Sequence, residues 1–423
     1  MTRILSFLAG LLLCGTLAAQ EIRLRHELDG KALDVLATQI LRFNDEQKGK
    51  GKVVLQDARG LENKQVLPEL AFLNPDDGME FFGTRPRLHP LHEVMKEGGQ
   101  KLDVAQFFPQ VADATDDASG RLQALPLGLS LPVLLVNRAM LRKAGLDPDA
   151  RINTWWELQK AAGEVFDRGT KCPLTTSRFA WIHAENVTSQ AGEPMSRKPD
   201  SAENLAVNGM VNVKHLALLA SWQKSHYFHY AGPGREGEKR FLSGECAMLT
   251  GESSLFAPAR RAGVDVGVMP LPHYDDVYAA KPADVLPDGA ALWVLAGQKK
   301  DEIRLIARFV SFLMRPEVQK EWVAATSYLP MTPAALAALR DSDIPPAMLD
   351  AAQKRLSVSR KDGTRLKHGP LRERLREFIG EEVSFVWNKG RAAKEALDVA
   401  VQRLHAALPQ SVKPAKAAPA PKQ

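Results

Sequence analysis

The stretch from Phe241 to Pro330 constrains this chain more than any other. It runs Phe241-Leu-Ser-Gly-Glu-Cys-Ala-Met-Leu-Thr-Gly251, Asp265-Val-Gly-Val-Met-Pro-Leu-Pro272, Gly289-Ala-Ala-Leu-Trp-Val-Leu295 and Glu321-Trp-Val-Ala-Ala-Thr-Ser-Tyr-Leu-Pro330. Short apolar strands alternate with helices, and each strand stops at Gly, Pro or a small polar residue. Strand ends of this kind leave backbone N–H groups and hydroxyls facing a crevice, where open α/β sheets bind ligands. No nucleophile, metal cluster or phosphate loop accompanies them, so the stretch reads as a binding site before a catalytic one.

A chain of 423 residues exceeds what one core usually supports, and two lobes are expected. Met1-Thr-Arg3, the apolar run Ile4–Leu13 and the small residues up to Ala19 form a secretory signal over residues 1–19. The run is too short to be a permanent membrane span. Leu13 is bulky where a lipidation signal before Cys14 calls for a small residue. The formal charge of +6 falls to +2 once Arg3, Lys413, Lys416 and Lys422 are set aside. That gives little reason to expect nucleic acid or membrane partners. Residues 408–423, a Pro/Ala/Lys tail, read as disordered. Export leaves Cys172 and Cys246, which either pair as a disulfide or stay as two buried thiols.

Ile22-Arg-Leu-Arg-His26 alternates like a strand, and Leu33, Leu36, Ile40 and Phe43 then mark a helix stripe. A Gly/Lys turn and Val53-Val-Leu55 complete a βαβ opening. Leu125–Asn137 is strand-like with Pro126 and Pro132 inside, which suits a passage between lobes. Thr154-Trp-Trp-Glu157 is a capping box. Ile303, Ile306, Phe309, Val310 and Leu313 mark a long amphipathic helix, and Pro316 suits the first turn of the next. Helices are expected from Leu371 to about Ala407.

Catalytic patterns fail one by one. His26-Glu27 begins a zincin motif, but Gly30 holds the second histidine position. Gly251-Glu-Ser253-Ser-Leu255 lacks the second glycine of a nucleophile elbow. Gly232-Pro-Gly234-Arg-Glu-Gly237 spells a dinucleotide motif but follows no clear strand and contains Pro, so it reads as a surface loop. His89 and His92 read as surface histidines near a helix start. No enzyme, metal or cofactor is expected.

At the residues quoted, and at Leu125–Asn137, Lys143-Ala-Gly-Leu-Asp147 and Thr154-Trp-Trp-Glu157, the chain resembles the periplasmic solute-binding proteins of ABC importers. The class is the maltose-binding-like one. Gly244-Glu-Cys-Ala-Met248, Gly289-Ala-Ala-Leu-Trp293 and Thr326-Ser-Tyr-Leu-Pro330 bring it nearest the members that bind glycerol-3-phosphate. The resemblance implies a type II binding-protein fold, each lobe a mostly parallel sheet flanked by helices. Residues 20–128 with 290–328 would form the N-terminal lobe and 129–289 with 329–407 the C-terminal lobe. Crossovers would fall near 127–133, 286–293 and 328–332. It implies ligand contacts at Ser130, Gly289, Tyr328 and Arg376, with Asp76 on the polyol hydroxyls and Trp181 beside Tyr328 facing the carbon skeleton. Leu61 replaces a ligand-contacting tyrosine, and the family's second serine falls on Glu252 or Ser253. With Ser253 in the cleft, a phosphate gains a donor; with Glu252 there, it is repelled, and a neutral sugar or a phosphodiester suits better. The implied function is periplasmic capture of glycerol-3-phosphate or a glycerophosphodiester by hinge closure of a monomer, with delivery to the permease subunits. The alternative is a neutral sugar or oligosaccharide.

Overall fold

The computed structural model describes residues 20–58, 68–73, 88–117, 119–196, 205–276, 285–342, 344, 346–358 and 370–407. The expected signal, Leu61, Asp76 and the C-terminal tail lie outside them. Among the described residues ten strands build two sheets: β1 Gln20–His26, β2 Gly51–Asp57, β3 Leu70–Leu73, β4 Leu125–Ser130, β5 Pro132–Asn137, β6 Cys172–Thr176, β7 Phe228–His229, β8 Cys246–Glu252, β9 Val266–Pro270 and β10 Asp288–Val294. The first sheet has the order β2-β1-β3-β10-β4 and the second β7-β6-β8-β5-β9.

Each sheet is mixed, where the sequence suggested mostly parallel ones. β1 runs parallel to β2 and β3, but β10 is antiparallel to β3 and β4. β6 runs parallel to β7 and β8, whereas β5 is antiparallel to β8 and β9. The physical reason is the crossovers: strands that carry the chain from one sheet to the other enter against the direction of the βαβ units. Pro126 and Pro132 sit where this costs least. β4 is the edge of its sheet, and Pro132 is the first residue of β5.

The local signals are realised. Helix Gly30–Glu46 buries Leu36, Ile40 and Phe43, and Phe43 packs on Phe309 and Phe312 of helix Lys300–Leu313. Thr154 accepts from the Glu157 N–H while the Glu157 carboxylate accepts from the Thr154 N–H, closing the capping box of helix Trp155–Asp167. Pro316 opens helix Pro316–Thr326. Helices Pro370–Lys389 and Ala393–Ala407 pack on each other and on helix Met210–Lys224. Cys172 and Cys246 lie opposite each other on β6 and β8 and form a disulfide, Cα–Cα 4.6 Å. Beneath that sheet a polar chain is buried whole: Tyr274 Oη to His215 at 2.7 Å, His215 to His183 at 2.8 Å, and His183 to Thr176 and Thr250.

Candidate functional site

All the crossovers meet at residues 128–131. In the antiparallel pairing of β4 with β10, Ser130 faces Asp288 and Leu129 faces Gly289. The Leu329 N–H donates to the Leu129 carbonyl at 2.8 Å, bringing in the segment that carries Tyr328. The Ser253 N–H donates to the Leu131 carbonyl, and the Leu131 N–H donates back to Ser253 Oγ at 3.0 Å. Gly289 is required here: its φ is +148°, and a Cβ would lie 2.1 Å from the Gly128 carbonyl oxygen. Ser130 is fully buried, and its Oγ has no hydrogen-bond partner among the described residues.

Beside this junction, at the C-terminal ends of β6 and β8, lies an ionic network that is buried except at Arg235, whose side chain is 37% exposed. Arg178 donates to Glu252 at 2.5 Å and to Asp288 at 2.6 Å. Arg235 donates to Glu252 at 2.8 and 3.1 Å and pairs with Glu238 at 3.3 Å. Arg376 forks onto Glu185 at 2.5 and 2.9 Å, reaches Asp288 at 2.7 Å and approaches Glu373 at 3.5 Å. Arg372 joins Asp288 to Glu373 at 3.3 and 2.9 Å. Burial pushes the Glu238 carboxyl up to about 7, with Glu252 adding to the rise. Glu252 stays below the usual carboxylate range: desolvation opposes ionisation, and the guanidinium groups of Arg235 and Arg178 overcome it.

The sequence-derived candidates therefore take distinct places. Glu252, not Ser253, is in the charged network, while Ser253 ties the first crossover to β8. Arg376 is buried with its donors on carboxylates. Trp181 is also buried; its indole N–H donates to the Leu286 carbonyl, and the Arg178 guanidinium covers its ring at 4.6 Å. It stands on a π-helical turn, Ala180–Glu185, whose last residue is the Arg376 partner; such turns recur at functional sites. Tyr328 stacks on Trp322, and burial pushes its phenol up to about 12. Ser253 and Tyr328 also line a mostly apolar pocket of ≈ 390 Å³ walled by Val133, Phe256, Met269 and Leu329.

Sequence reasoning missed Arg178, Arg235, Asp288, Glu185, Arg372, Glu373 and Glu238. One signal was available. The glycines of Gly232-Pro-Gly234-Arg-Glu-Gly237 shape a loop that delivers Arg235 and whose Pro233 and Gly234 carbonyls accept from Phe179 and Arg178. At Gly237 a Cβ would meet the Thr176 carbonyl at 2.0 Å. Among the described residues no group of three or more His, Cys, Asp or Glu could hold a metal ion.

Two mixed sheets joined by strands that cross between them, with the polar site at the crossing, are the type II periplasmic binding-protein architecture. The model of the bacterial extracellular solute-binding protein family matches residues 68–348. The chain is 33% identical over 330 residues to the sn-glycerol-3-phosphate-binding periplasmic protein UgpB of Escherichia coli K12, covering 75% of this chain and 74% of that one. The corresponding protein of Salmonella typhimurium LT2 is 34% identical over 328 residues, with the same coverage. The structure of UgpB from Mycobacterium tuberculosis in complex with glycerophosphocholine superposes with a TM-score of 0.70 at 19% identity, covering 92% of this chain and 98% of that one. Maltose-bound MalE3 of T. maritima gives 0.70 at 16%, covering 92% and 100%. This chain belongs to the bacterial extracellular solute-binding protein family.

Proposed function

We propose that this protein is the periplasmic binding component of an ABC importer and captures glycerol-3-phosphate or a glycerophosphodiester. In this reading residues 20–128 with 290–328 form one lobe and 129–289 with 329–407 the other. The lobes close on the ligand about the crossovers, and the closed monomer presents it to the permease without chemical turnover. The two sheets support this division except at its seam, where Leu129, Ser130, Asp288 and Gly289 pair within the first sheet. One qualification comes from helices Pro333–Ala338 and Pro346–Leu356, which pack on helices Pro316–Thr326 and Pro109–Ala112 and so span the boundary.

The observation that carries the ligand reading is the convergence of Ser130, Gly289 and Tyr328 at one junction beside buried arginines, in a chain a third identical to glycerol-3-phosphate-binding relatives. Arginine presents a fixed fork of donors that suits a phosphate oxygen pair. Asp76 is proposed to accept from the glycerol hydroxyls. Calorimetry of the mature protein with glycerol-3-phosphate, glycerophosphocholine and maltose tests the reading. Heat with at least one of the first two, at micromolar dissociation constants or tighter, supports it. Heat with maltose alone would establish the sugar-binding alternative. Steady release of choline or phosphate from glycerophosphocholine would make the protein an exported hydrolase.

A further inference from the structure

We infer that the Arg178–Glu252–Arg235 bridge is a selectivity element, which bars phosphomonoester dianions from the cleft and admits glycerophosphodiesters of no net charge. The inference rests on the proposed ligand class and narrows it.

Glu252 ends β8 and is 2% exposed. Both of its carboxylate oxygens are engaged: Oε1 by Arg178 and Arg235, Oε2 by Arg235 and, at 3.3 Å, by the Ser254 hydroxyl. The same atoms that would fork onto a phosphate are thus held by an internal anion. Arg376 is in the same state, with Glu185 accepting two of its bonds and Asp288 a third. Linked through these contacts are four arginines, Arg178, Arg235, Arg372 and Arg376, and five carboxyls, Glu185, Glu238, Glu252, Asp288 and Glu373. Counted over these nine described residues, the charges cancel when Glu238 holds a proton and sum to one negative charge when it does not. Each of the four arginines is already held by at least one carboxylate, so a dianion has to compete for it.

A phosphate monoester entering here must displace a carboxylate from its arginines, leaving buried negative charge uncompensated, and that is costly in a desolvated site. A zwitterionic diester leaves the total charge unchanged. Its phosphate takes an arginine while its cation takes the released carboxylate.

The test is calorimetry at pH 7.5 with glycerol-3-phosphate, glycerophosphocholine and inorganic phosphate on wild type, Glu252→Gln and Glu252→Asp, each checked for its fold by circular dichroism. Wild type is expected to bind the diester at least tenfold more tightly than glycerol-3-phosphate. Glu252→Gln, which leaves Arg178 and Arg235 short of an anion, should gain tenfold or more for glycerol-3-phosphate. Glu252→Asp keeps the charge and should keep the wild-type preference. Equal or tighter wild-type binding of glycerol-3-phosphate, or an unchanged preference in Glu252→Gln, overturns the inference. Binding of neither glycerol compound by wild type refutes the proposed ligand class instead. Selectivity is then read from inorganic phosphate by thermal shift: a gain in Glu252→Gln alone sustains it, and no gain overturns it.

Discussion

Replacing Arg376 with methionine removes a buried cation and keeps most of the side-chain volume. Three carboxylates lose a contact at once: Glu185, held at 2.5 and 2.9 Å, Asp288 at 2.7 Å and Glu373 at 3.5 Å. Asp288 and Glu373 keep Arg372, and Asp288 keeps Arg178, but Glu185 has no other ion pair among the described residues. Breaking one buried pair costs about 3–5 kcal/mol, most of it the desolvated charge left behind. Domains usually have about 5–15 kcal/mol in all. Arg376→Met should therefore lower the melting temperature by roughly 10 °C, taking a few degrees per kcal/mol for domains of this size. The loss should shrink when Glu185→Gln is added, because the stranded charge goes with it. Thermal unfolding followed by circular dichroism reads both. If Arg376→Met melts within about 2 °C of wild type, or Glu185→Gln adds to the loss, the guanidinium is not part of a closed network. Lost ligand binding in Arg376→Ala then reports a direct contact, not a collapsed site.

The disulfide closes a loop with a sequence separation of 74, for which chain entropy gives about 4 kcal/mol; Cys172→Ser with Cys246→Ser should lower the denaturation midpoint accordingly, and an unchanged midpoint contradicts the pairing. Gly289→Ala places a Cβ against the Gly128 carbonyl at 2.1 Å on a φ that L residues avoid, so soluble yield should fall sharply; a normal yield with wild-type melting refutes the tight junction. Burial holds the His183 imidazole well below its ordinary value and lowers His215 to about 3. The unfolded chain takes up these protons near pH 6.5, so the contribution is whole above that pH and is lost as pH falls below it. From pH 6 to pH 5 the loss should be roughly 2–3 kcal/mol, read by urea unfolding, and His183→Gln with His215→Gln should flatten that slope.

What the sequence revealed were local signals. The capping box at Thr154, Pro316 at a helix start and the paired prolines of the first crossover each depend on neighbours a few residues away. Family resemblance nominated Ser130, Gly289 and Tyr328 because short motifs carry them, and the fold brings the segments that carry them to one junction. The network stayed hidden for a physical reason: the pairs that tie its parts together are far apart in sequence, 74 residues for Arg178 and Glu252, 110 for Arg178 and Asp288, and 191 for Arg376 and Glu185. A charged residue in an apolar stretch, such as Arg178 before Phe179-Ala-Trp-Ile182, announces that it must find a counter-charge without saying which. The sheet directions were misread for a related reason, since a strand's direction depends on which lobe it enters.

Capture by closure has a direct readout. Small-angle X-ray scattering of the mature protein, with and without saturating glycerophosphocholine, measures whether the lobes come together. A radius of gyration that falls on ligand addition, with an unchanged molecular mass and intact ligand recovered afterwards, is the outcome expected of a monomeric hinged binding protein. An unchanged radius at ligand concentrations that give full calorimetric binding would contradict closure about the junction of Ser130, Asp288 and Leu329.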